Sequence, residues 1–121
     1  MREVVVGRRY GGFSLFLLLV CPKGFTLPTS SDYSSLTTTY HITSNSTGST
    51  KLRQSPLDFV YTGFYAGSAG LLGSEGSGGY YWSRTAYSGT NAYNLDFNSS
   101  NVYPQGINGR GYGFALRCVG R

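Results

Sequence analysis

Residues 79–121 read GYYWSRTAYSGTNAYNLDFNSSNVYPQGINGRGYGFALRCVGR and interleave Tyr, Asn, Ser and Gly with little charge. The stretch also keeps an apolar frame of Trp82, Leu95, Phe97, Phe114, Leu116 and Cys118. A disordered segment could not use so many large apolar side chains. A segment that only needed to fold would not require so many Tyr and Asn. It reads as a rigid scaffold carrying a polar, aromatic display surface, which points to binding more than to catalysis. Within it, residues 80–84 (YYWSR) form a strand candidate. Residues 92–97 alternate, with Tyr93, Leu95 and Phe97 on one face and Asn94 and Asp96 on the other. Residues 112–119 alternate too, with Tyr112, Phe114, Leu116 and Cys118 inward and Arg117 outward. Residues 98–111 read as a long loop held by Pro104 and Asn/Gly turns, and loops of that length are usually functional.

Working outward, residues 59–65 (FVYTGFY) read as a strand, followed by a Gly/Ser-rich connection to Gly79. Residues 43–51 (TSNSTGSTK) read as a polar loop. Thr29 followed by Asp32 is a capping-box pattern, and Tyr33, Leu36 and Tyr40 recur on one face. These predict a short helix ending near Tyr40 or His41. The lone histidine, His41, reads as a surface or helix-end residue rather than a catalytic one. Residues 21–27 (CPKGFTL) enter the fold as a strand or turn. Asn45 and Asn98 begin formal glycosylation sequons, meaningful only in a eukaryotic secretory setting. Residues 1–20 pair a basic stretch with the apolar run 13–20, and the readings are a signal or anchor segment, a leading strand, or a misassigned start. That run is too short for a standard transmembrane helix. The domain itself is residues 21–121.

The 121 residues suffice for one domain with one modest core. With 18 Gly, 16% aromatic and 12% charged residues, many turns and short strands are expected and little helix. The net charge of +5 is scattered rather than gathered into a basic stripe, which disfavours nucleic acid as a partner. Cys21 and Cys118 would form one long-range disulfide in an exported protein, or stay as two buried thiols in a cytosolic one. No Cys/His grouping suggests zinc.

Three pieces carry a family resemblance: residues 21–29 (CPKGFTLPT), 79–85 (GYYWSRT) and 110–119 (RGYGFALRCV). Together they resemble the Fibrobacter succinogenes major paralogous domain, a group placed with the C-type-lectin-like fold. Phe25 stands where that family commonly has Trp, and Arg84 replaces a small hydroxyl residue. The resemblance implies an α+β domain of mostly short antiparallel strands, one or two short helices and long loops. It implies paired N- and C-terminal strands, consistent with a Cys21–Cys118 bridge, and a place on exported bacterial proteins. It implies no established activity.

Calcium-dependent sugar binding needs several oxygen ligands gathered together, and Asp58, Glu75 and Asp96 are not spaced for that. The lectin motifs Glu-Pro-Asn, Gln-Pro-Asp and Trp-Asn-Asp are missing; neither a metal nor another cofactor is expected. Formylglycine-generating enzymes share the fold but use reactive cysteines, and one structural bridge would leave no redox pair. No Gly-x-Ser-x-Gly elbow, Ser/His/Asp set or carboxylate pair appears, so no enzyme is expected. Tyr with Ser, Gly and Asn is paratope-like chemistry. The candidate ligand-binding residues are Tyr81, Arg84, Tyr87, Asn91, Tyr93, Asn94, Asn101, Tyr103, Asn108 and Arg110. Tyr112 is a further candidate that could equally face the core. The expectation is a non-enzymatic module of a secreted or surface-exposed bacterial protein, binding a protein or glycan at a cell surface. The membrane enters only through an N-terminal signal or anchor. The alternatives are a structural or adhesive module with no discrete ligand, or the variable target of a diversity-generating retroelement.

Overall fold

The computed structural model describes residues 2–4, 10–11, 21–66 and 71–120. The fold is mixed α+β. Among the described residues its main sheet has five strands in the order β2-β9-β6-β7-β8: β2 (Tyr10–Gly11), β6 (Gly78–Ala86), β7 (Asn91–Asn98), β8 (Val102–Gly109) and β9 (Phe114–Ala115). A three-stranded sheet sets β10 (Cys118–Gly120) between β1 (Arg2–Val4) and β3 (Phe25–Thr26), antiparallel to both. A small hairpin pairs β4 (Phe64–Ala66) with β5 (Leu71–Gly73). The expected pairing of the domain's first and last strands is present, with Thr26 opposite Val119. Cys21 and Cys118 form a disulfide across a sequence separation of 97, which fits an oxidising compartment. The run 13–20 lies outside the described residues.

Helix α1 (Ser30–Thr39) forms as its capping box predicts: Thr29 Oγ1 accepts the Asp32 N–H at 3.0 Å, and Asp32 Oδ2 accepts the Thr29 N–H at 2.8 Å. Tyr33 and Leu36 are buried, while Tyr40, past the helix end, is exposed. These two buried side chains join Tyr81, Leu95, Phe97 and Val102 in one core cluster on the helix-covered side of the sheet. Trp82, fully buried, packs with Phe114, Ala92, Leu27 and Leu116 on the other side. The Trp82 and Phe114 rings lie 4.3 Å apart.

Four sequence expectations are corrected. The polar loop at 43–51 contains a second helix, α2 (Ser46–Arg53). Asn45 caps it through the Gly48 N–H at 2.8 Å, and the fully buried Leu52 anchors it. Burial and a cap thus outweigh the poor propensity of its Ser, Thr and Gly. Residues 98–111 are not a long loop, because β8 pairs with β7 along their lengths. In the 59–65 strand candidate only Phe64 and Tyr65 reach a sheet. The preceding backbone is held instead by single hydrogen bonds, the Phe59 N–H donating to Leu52 O, the Val60 N–H to Tyr81 Oη and the Gly63 N–H to Gly78 O. Arg117 is not outward: only 4% exposed, its guanidinium sits 4.0 Å over the Phe59 ring. Its strand breaks between β9 and β10, so simple alternation fails there.

Candidate functional site

The pairing of β6, β7 and β8 places side chains in cross-strand rows, because directly opposed residues of an antiparallel pair share a face. On the side away from α1 the rows are Tyr80–Asp96–Tyr103 and Trp82–Asn94–Gly106, followed by Asn108 opposite Ala92. On the helix side Tyr93 is opposed by Ile107, and Phe97 by Val102. A register shift in β8 between its pairings with Asn94 and Asp96 lets Val102 and Ile107, an odd number of residues apart, share that face.

The sequence-predicted residues therefore divide. Tyr87 is 56% exposed and meets the half-buried Tyr93 edge to face at 5.5 Å. Exposed Ile107 lies opposite Tyr93, which makes an apolar rim where β6 turns into β7. Asn91 closes that turn, its carbonyl accepting the Tyr87 and Ser88 N–H groups. Arg110 fastens the same turn, donating from its guanidinium to Ser88 O at 2.6 Å and Asn91 O at 3.3 Å. Its observed work is to hold the platform. Arg84 is exposed beside the start of α1, its N–H donating to Pro28 O. Asn101 sits at the far end of the hairpin in a turn whose N–H groups are capped by Asn98 Oδ1. Tyr103 is 48% exposed on the other face, opposite Asp96, and the half-buried Asn108 lies on that face opposite Ala92.

Two candidates are core rather than surface. Tyr81 is 5% exposed, rings with Phe59 at 4.9 Å, and engages the Val60 N–H through its hydroxyl. Asn94 is fully buried. It remains part of the surface chemistry indirectly: Asn94 Nδ2 donates to Asp96 Oδ2 at 2.8 Å, and Asn108 Nδ2 donates to Asn94 Oδ1 at 2.8 Å. Burial raises the Asp96 carboxyl above its ordinary value of 3.8, with the Asn94 hydrogen bond pulling the other way.

Sequence reasoning missed Ile107, Asp96, Gly106 and Tyr80. Asp96 carried the only signal, as the outward-facing acid of an alternating strand. Among the described residues no group of three or more His, Cys, Asp or Glu could hold a metal ion. No helix among them is long and apolar enough to cross a membrane. Comparison with family models, with curated proteins and with solved structures gave no match, so the surface is read from its own chemistry.

Proposed function

We propose that this chain is a non-enzymatic ligand-binding domain, of C-type-lectin-like type, on an exported bacterial surface protein. It binds a protein or glycan through the β6–β7 turn and the β7–β8 hairpin. The observation that carries the reading is the Tyr87–Tyr93–Ile107 rim, with Tyr103 on the opposite face of the same hairpin. Exposed aromatic and aliphatic groups of this size bury large area at low entropic cost when a partner arrives. They stand on a rigid base, since Arg110 locks the turn and the disulfide closes the domain. Preorganisation of that kind reduces the ordering cost of binding. The Cys21–Cys118 bridge supports export.

The test is cell-surface and glycan-array binding by the labelled domain, compared with a Tyr87/Tyr93/Tyr103 triple alanine variant. Loss of binding at an unchanged melting temperature is the expected result. Binding that survives the triple variant overturns this placement of the site.

A further inference from the structure

The face of the sheet away from α1 carries an arrangement that the Tyr-rich rim does not use. Asp96 stands in register between Tyr80 and Tyr103. Beside it, Gly106 makes room for the carboxylate: a Cβ at that position would overlap Asp96 Oδ2, which lies over the glycine. Asn108 stands two residues further along the same strand and face. The face therefore sets a carboxylate, seated over the bare backbone of Gly106, with the Tyr103 ring in register beside it and the Asn108 amide further along the strand.

The polarity of this row is dictated by its one charge. An ionised carboxylate only accepts, so Asn94 must turn its amide N–H toward Asp96 and its oxygen toward Asn108. Asn108 must in turn give an N–H to Asn94. The second oxygen of Asp96 and the carbonyl oxygen of Asn108 are thereby left to accept from a ligand, and Asn108 keeps a further N–H to donate. Asn94 is fully buried, so both surface groups are held by a partner that cannot move into solvent. Asp96, Asn108 and Tyr80 are half-buried and Tyr103 is exposed, which leaves the row open from one side.

We propose that this row is a saccharide subsite that takes vicinal hydroxyls of a neutral hexopyranoside directly, without a bridging metal ion, on Asp96 and Asn108. This deepens the binding reading above and rests on it. Adjacent sugar hydroxyls both donate and accept, which matches a carboxylate beside an amide. The apolar C–H face of a pyranose matches the ring of Tyr103. The carboxylate repels uronic and sialic acids, so the subsite selects neutral sugars.

The test is titration of the intact domain with methyl gluco-, galacto- and mannopyranosides, followed by NMR, with an array of neutral and sialylated oligosaccharides. Binding of at least one neutral pyranoside is expected, unchanged by EDTA. Asp96→Asn and Tyr103→Ala should each weaken it by about tenfold or more while the domain stays folded, as loss of one directed contact does. Loss of binding in EDTA, preference for sialylated ligands, or indifference to Asp96→Asn overturns the proposal. Cell-surface binding abolished only by Tyr87→Ala and Tyr93→Ala, with no pyranoside bound, also overturns it and leaves the broader binding function standing. Failure to bind any cell surface or array ligand removes both.

Discussion

Replacing Gly106 by Ala asks directly whether the Asp96 carboxylate is seated over Gly106. The added methyl would overlap Asp96 Oδ2, while its other neighbours, Asn94 Nδ2 at 3.3 Å and Asn94 O at 3.4 Å, are tight but tolerable. Asp96 must therefore swing away and release the 2.8 Å hydrogen bond from Asn94 Nδ2. Because Asn94 is 0% exposed, water does not replace the lost acceptor. An unsatisfied buried donor costs about 1–3 kcal/mol. Against this, Gly→Ala stiffens the unfolded chain and returns about 0.4–1 kcal/mol. The net is a loss of roughly 0.5–2 kcal/mol. For 121 residues the unfolding entropy gives about 4 °C per kcal/mol, so the melting temperature should fall by about 2–8 °C. In an Asp96→Ala background the added methyl meets no carboxylate, and there Gly106→Ala should stabilise by about 0.4–1 kcal/mol. Thermal or urea melts of the four proteins give the comparison. An equal cost of Gly106→Ala in both backgrounds would refute the geometry.

Three further outcomes are expected. Replacing Cys21 and Cys118 by Ser opens a loop whose ends are 97 residues apart, which should cost about 4–5 kcal/mol in the chain-entropy model. That is a fall of about 15–20 °C by calorimetry, and thiols titratable in the unreduced native protein would contradict the bridge. Asp96→Asn should show a pH signature. The raised carboxyl binds its proton more tightly in the folded state, so its contribution to stability is present at low pH and is lost as pH rises from the ordinary 3.8 through the folded value. The Asn variant lacks that loss, and melts should show it gaining on the parent between acid and neutral pH; a difference that is flat or reversed contradicts the burial. Gly48→Ala should destabilise although it improves helix propensity by about 1 kcal/mol, because its Cβ would run into the backbone of Thr43. A higher melting temperature for this variant would show that α2 is packed differently.

How much of this was legible in the sequence depended on whether local chemistry or long-range register set the outcome. Helix α1 was legible because Thr29 and Asp32 form a self-contained cap. The helix α2 was hidden because its stability comes from Asn45 and from burial of Leu52, neither visible in a run of Ser, Thr and Gly. Strand β8 was hidden because its register shift puts Val102 and Ile107 out of phase in sequence while leaving them on one face in space. Arg117 looked outward by alternation, yet lies over Phe59 because the strand breaks before it. In the surface region, composition alone pointed to Tyr87, Tyr93, Tyr103 and Asn108. It could not separate them from Tyr81 and Asn94, since inside and outside are decided by pairing partners far away in the chain. Nor could it find the seat that Gly106 gives the Asp96 carboxylate, which exists only once β8 lies beside Asp96.

The most direct measurement of the central claim is binding of the folded domain to a neutral pyranoside before and after Tyr103→Ala, an exposed site whose loss leaves the core untouched. The account predicts EDTA-insensitive binding that weakens about tenfold at an unchanged melting temperature. Pyranoside affinity unaffected by the substitution would contradict it.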